Sequence, residues 1–436
     1  MNLCIRFAVV GLAAVVLTGC DRQPQAELQF EPNYVHAYKY QMTEELPMQQ
    51  SLEDANWAVN EMFGTPANPK LPEFITEDED LADVVSVDRL HEGQRLYREK
   101  LCVTCHGENG SGRGINSTLS TPYPRDYRMG VFKFKSTKRS AKPTRDDLAE
   151  LIRDGIPGTT MTAVPQITDE QVQALVDYVI YLSWRGELER MLIDDVINEG
   201  IDVAGDERLI DPAGRNSEDE EAREDFEEAW EYAEAYAIEI AEDWLDAPDD
   251  VVEVELPEDI PVPANSEEMN AMLEGPQADA LLASIERGRE AFQGKIAACA
   301  KCHGKEGKGD GQTADYDDWT KDWTTRVNLK PEDRESLIPL LARGALEPKN
   351  IQPRNFAEGV FHGGSAPEEL YRRITVGIAG TPMPAVTYVP GEFEEEDVWH
   401  LINFVRFLGK DSESGQSEAA PTEPPAAEQP AADAQT

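Results

Sequence analysis

Apolar residues recur at steps of three and four in several separate stretches of the chain, the spacing of one buried helix face. Val172, Leu175, Val176, Tyr178, Val179 and Leu182 form one stripe, and Val398, Leu401, Ile402, Phe404, Val405 and Leu408 form another. These predict helices over 169–184 and 394–408, and the pattern repeats over 86–100 and 282–298. Thr144-Arg-Asp-Asp147 is a capping box that starts a further helix ending near Gly155. A third stripe, Phe226, Trp230, Ala233, Ala237, Ile240 and Trp244, predicts a helix over 217–246, on the order of 45 Å long at 1.5 Å per residue. Its apolar side needs a surface to dock on. Val251–Pro263 reads as an extended, proline-bearing connector. Glycine- and proline-rich loops lie between these elements and strand signals are few, so the expected fold class is all-α.

The two stripes belong to two copies of one unit. Gly93-Gln-Arg-Leu-Tyr97 precedes Cys102-Val-Thr-Cys105-His106-Gly107, and Gly288-Arg-Glu-Ala-Phe292 precedes Cys299-Ala-Lys-Cys302-His303-Gly304. Pro124-Arg125-Asp126-Tyr127 matches Pro353-Arg354-Asn355-Phe356. Gly155-Ile-Pro-Gly-Thr-Thr-Met161 matches Gly377-Ile-Ala-Gly-Thr-Pro-Met383. Five blocks keep one order, with an insertion of about 30 residues before Pro353 in the second copy.

Cys-x-x-Cys-His reads as covalent haem attachment. Two thiols on one helical turn reach the two vinyl groups of a haem, and the next imidazole faces the iron. A redox-active Cys pair, one zinc site built from four cysteines and simple disulfides are the competing readings. None of them needs a histidine at the same place twice. Both copies resemble class I c-type cytochrome domains, over residues 86–186 and 281–410. The resemblance implies His106 and His303 as proximal ligands, Met161 and Met383 as axial ligands, and close helix crossings at Gly93 with Tyr178 and Gly288 with Phe404. It therefore implies two covalently attached haem c groups, on Cys102, Cys105, Cys299 and Cys302. A thioether ligand favours ferrous iron and raises the potential. His362 is a rival ligand, while Met129, His36, His91 and His400 read as packing or surface residues. Arg125 and Arg354 are placed to pair with haem propionates, the other reading being solvated surface arginines.

Charge changes the picture outside the repeats. The net charge is −45, which excludes nucleic acid as a partner. Residues 187–280 carry 33 acidic and 4 basic side chains. Eight basic residues lie between Arg125 and Arg145, suited to an acidic external partner or to the chain's own acidic helix. Residues 1–19 resemble a lipoprotein signal, ending before Cys20, which would carry the lipid. The expected layout is the signal (1–19), an acidic tether (20–85), the first haem domain (86–186), an acidic helical linker (187–280), the second haem domain with its insertion (281–410) and a disordered tail (411–436). The functional expectation is an electron carrier without substrate turnover of its own. It would be anchored on the periplasmic side of a bacterial inner membrane and serve redox protein partners in a respiratory chain. A subunit of a larger respiratory complex and a dihaem peroxidase are the alternatives.

Overall fold

The computed structural model describes residues 28–410; the signal, Cys20 and the tail lie outside them. Helices α1 (Tyr34–Thr43), α2 (Gln49–Phe63) and α3 (Glu73–Thr76) come first. The first repeat supplies α4 (Val87–Glu99), α5 (Cys102–His106), α6 (Arg145–Asp154) and α7 (Asp169–Asn198). After α8 (Glu220–Leu245) and α9 (Ser266–Glu274), the second repeat supplies α10 (Ala278–Gln293) and α11 (Ala300–His303). The insertion adds α12 (Asp318–Asp322) and α13 (Arg334–Leu341), and α14 (Pro367–Thr375) and α15 (Glu395–Gly409) follow. The fold is all-α. Strands β1 (Asp315–Tyr316) and β2 (Asn350–Ile351) pair antiparallel and only close the base of the insertion.

Each repeat is built on one close helix crossing. A Cβ at Gly93 would lie 2.0 Å from the Ala174 carbonyl oxygen, and one at Gly288 would lie 1.8 Å from that of His400. Glycine lets α4 meet α7 beside Tyr178, and α10 meet α15 beside Phe404.

Several boundaries differ from the sequence expectation. Helix α7 runs on past Trp184 to Asn198, because Leu188, Leu192, Ile193 and Val196 continue its apolar spacing; all four are buried. The segment expected as a tether is core instead: Leu52, Ala55, Ala58, Val59, Met62 and Phe63 of α2 are buried. The Tyr181 hydroxyl donates to the Phe63 carbonyl at 2.6 Å. The acidic helix α8 lays Phe226, Ala233, Ala237, Ile240 and Trp244 into the same core, and Trp184 Nε1 donates to its Ala237 carbonyl at 2.9 Å. The α2, α7 and α8 segments therefore enlarge the first domain. The connector and α9 join the second core, where Met269 is buried and Asn403 Nδ2 donates to Pro261 at 2.8 Å. Helix α10 stops at Gln293, five residues short of expectation, where Gly294 follows.

The two halves interlock. The second copy's insertion packs Trp323, Leu337 and Leu340 against Val35 of α1. Asp322 of α12 accepts from Arg190 of α7 at 3.0 Å and from Lys39 of α1 at 3.3 Å. In return, Ser136–Lys138 of the first copy pair with Asp250–Val252.

Candidate haem centres

Helices α5 and α11 are single turns, each entered through a residue in left-handed conformation: Leu101 at φ 65° and Ala298 at φ 51°. That conformation turns the chain immediately before each Cys-x-x-Cys-His turn. Beyond the histidines, Gly112 N–H donates to the His106 carbonyl and Gly309 N–H to the His303 carbonyl, both at 2.9 Å. Both glycines have positive φ, and a Cβ there would strike the Pro124 or Pro353 carbonyl at 2.5 or 2.4 Å.

The two imidazoles are held alike. His106 stacks on Tyr127 with centroids 4.8 Å apart and planes 14° apart; His303 stacks on Phe356 at 4.6 Å and 20°. Each Nδ1 lies 3.4 Å from a backbone carbonyl, of Arg125 or Arg354. With Nδ1–H donating there, Nε2 keeps its lone pair for a metal, the arrangement that fixes a ligating histidine. Burial pushes His106 down to about 4 and lowers His303 as well, so both rings are neutral near pH 7. Cys102, Cys105, Cys299 and Cys302 are all free thiols, and burial pushes Cys102 and Cys299 up to about 11. Among the described residues no cluster of three or more His, Cys, Asp or Glu is placed to hold a metal ion by itself, so the two Cys pairs do not assemble one zinc site.

The methionine loops are copies of one another. Ile156 N–H donates to the Met161 carbonyl at 2.7 Å, and Ile378 N–H to that of Met383 at 3.2 Å. The Thr159 and Thr381 hydroxyls each donate to the preceding Ile carbonyl at 2.8 Å and lie 3.1 and 3.2 Å from the methionine N–H. Both methionines are half-buried.

Several cations near the histidine partners lack a carboxylate. Arg125 makes no ion pair among the described residues; its guanidinium lies 3.5 Å over the Trp319 ring, and burial pushes it down to about 10. Burial, with Arg125 adding to it, pushes Lys133 down to about 7. Two carboxylates per haem c would answer this uncompensated charge, and a neutral imidazole with paired free thiols suits the rest of the group. The residues present therefore fit haem c. Arg354 donates from Nη1 to His362 Nε2 at 2.7 Å, which engages the lone pair His362 would need as a rival ligand. His36 sits buried between Asp194 and Asp322, and His400 bonds Ser284 at 2.7 Å. Met129 is half-buried in a short turn after Tyr127. The stacking partners Tyr127 and Phe356 and the bridging Trp319 were not assigned from sequence. The first two carried a signal, an aromatic two positions after the recurring arginine.

The basic stretch is spent inside the molecule. Lys142 pairs with Glu187 at 2.6 Å and lies 3.8 Å from Asp243 of α8; Lys138 pairs with Asp250 at 2.7 Å. Lys135 is buried and donates to the Ala141 and Arg139 carbonyls. The alternative of a patch open to an external acidic partner is thereby corrected: only Lys138 of these three is exposed.

A chain of the reducing HAO-like protein complex of Kuenenia stuttgartiensis is similar at 24% identity and a TM-score of 0.42, over 73% of this chain and 95% of that one. No curated protein matches. The family model for cytochrome c matches residues 90–183 and 285–409, more than half of the sequence and both Cys-x-x-Cys-His sites. The chain belongs to the cytochrome c family, whose covalently bound haem c serves electron transfer or oxidoreduction.

Proposed function

We propose that this chain is a dihaem c-type cytochrome that carries single electrons between redox protein partners, with one haem c in each matched region. The duplicated site carries the reading: the same neutral histidine, free thiol pair and methionine loop stand twice in one arrangement. When bound, haem c supplies reversible one-electron chemistry at its iron, and a thioether ligand favours the ferrous state. Cys102, Cys105, Cys299 and Cys302 attach it. His106 and His303 would ligate its iron through Nε2, and Met161 and Met383 would supply thioether ligands. Arg125, together with Lys133, and Arg354 balance propionate charge. A methionine ligand at each iron would disfavour a peroxidase, which needs an open or displaceable position. Acid–acetone extraction followed by intact mass should leave two haem masses on the chain; one or none overturns the proposal. Met161→Ala and Met383→Ala should each remove about half of the near-infrared sulfur-to-iron band, as expected for two equal thioether sites.

The proposed address is the periplasmic side of a bacterial inner membrane, through lipid on Cys20. Its support is the sequence Leu17-Thr18-Gly19-Cys20 after an apolar run. No helix among the described residues is long and apolar enough to cross a membrane. Cys20→Ser should release the protein into the soluble fraction or block its processing; a variant processed normally yet still membrane-bound overturns the anchor.

A further inference from the structure

The first copy is longer than the second between its Phe block and the following helix: Phe132 to the Thr144 cap, against Phe361 to the Ala366 cap. The extra length forms an arm that reaches the other domain. At its tip Arg139 donates from Nη1 to the Met383 carbonyl at 2.7 Å and from Nη2 to the Thr381 carbonyl at 2.9 Å. Gly377 makes room for this grip, since a Cβ there would sit 2.7 Å from Arg139 Nη1. The loop is held on another side by Trp319 of the insertion. Its ring occupies the place a Cβ on Gly380 would take, 2.1 Å away, and its Nε1 donates to the Asp126 carbonyl at 3.1 Å. The first copy's loop also meets the other domain, where a Cβ on Gly158 would lie 2.8 Å from Val360, but among the described residues no arginine donates to its Thr159 or Met161 carbonyl; its Thr160 hydroxyl lies 2.8 Å from that of Ser120. The internal bond from Ile378 to Met383 is also the longer of the two, 3.2 Å against 2.7 Å.

We infer that Arg139 is a cross-domain positioning residue for Met383, so that the second haem site is completed by the first domain. This rests on the reading of Met383 as a ligand. A planar guanidinium spanning two carbonyls fixes orientation as well as distance, which a single lysine donor does not. It also brings a positive charge from the first domain beside the second methionine loop. Positive charge favours the reduced iron, so removing it lowers that site's potential.

The test uses the full-length, haem-loaded protein, with redox titration and the near-infrared band as readouts. Arg139→Ala should lower one of two redox waves and leave the other in place. It should also lose part of the half of the band that Met383→Ala removes. Arg139→Lys should fall between, and supplies the same test should the alanine variant not fold. Lys138→Ala, next to it on the arm and paired with Asp250, should change neither readout. Unchanged waves and band in both Arg139 variants overturn the inference, as does an equal effect from Lys138→Ala. If Met383→Ala itself leaves the band whole, the ligand reading fails and takes the inference with it. A halved band there with silent Arg139 variants sinks the inference alone.

Discussion

Burial sets the protonation state of several residues against their exposed values. His106 and His303 are kept neutral this way, and the carbonyls of Arg125 and Arg354 choose which nitrogen keeps its lone pair. Asp195 on α7 is a case outside the haem sites. Burial pushes its carboxyl up to about 6, against the Tyr236 hydroxyl that donates to it at 3.0 Å, with Glu199 and Asp194 adding to the rise. An acid raised in the folded state binds more protons there than in the unfolded chain. Stability is therefore lost as pH climbs between about 4 and 6. Asp195→Asn should stabilise the protein above pH ~6 by about 1 kcal/mol, a figure discounted because the group is half exposed. Below pH ~4 the difference should vanish. Urea denaturation across that range checks it; a difference that does not depend on pH would show that charge is not the cause.

At the scale of elements, helix crossings carry more than helix propensity does. The α10–α15 contact depends on the missing side chain at Gly288, where α10 touches the His400 carbonyl and Phe404. Gly288→Ala forces the helices apart and should cost about 1–3 kcal/mol, read as a lower urea midpoint. The second redox wave should broaden or shift while the first stays. An unchanged midpoint would mean the crossing relaxes freely. The apolar stripes of α7, α8 and α15 were legible because Leu, Val, Ile, Phe and Trp mark a face plainly. The stripe of α2 was not, since alanines at 55 and 58 and the acidic Glu53 and Asp54 around them read as a solvated segment. Only packing against Tyr181 and Trp184 of α7 reveals it as core.

Across the whole molecule, buried charge ties the second copy's insertion to the first domain. Burial alone would raise the Asp322 carboxyl, yet the Arg190 guanidinium, His36 and Lys39 hold it well below the usual range. Asp322→Ala leaves Arg190 and Lys39 unpaired next to buried His36 and should cost about 3–5 kcal/mol. The same variant should enlarge the radius in small-angle scattering as the insertion lifts from α1. No change in either would reduce the cluster to a passive contact. The acidic middle of the chain and the basic arm also meet within the molecule, through Lys142 with Asp243 and Lys138 with Asp250. Their opposite charges therefore describe how the chain holds itself together before they say anything of partners.

The repeat, the two Cys-x-x-Cys-His turns, the paired methionine loops and the glycines at the helix crossings were all determined by the sequence itself. Each depends on residues near in sequence, or on a type that no other residue can replace: a thiol pair, an imidazole, a glycine under a carbonyl. The tertiary structure alone decided that α2 is core and that the basic stretch turns inward. It also decided that Arg139 and Trp319 cross between the halves. Those features rest on contacts between residues separated by 118 positions, as in Tyr181 to Phe63, or by 244, as in Arg139 to Met383. An arginine that grips a distant carbonyl looks, in sequence, like any solvated arginine. What distinguishes it is a backbone acceptor that only folding brings within reach.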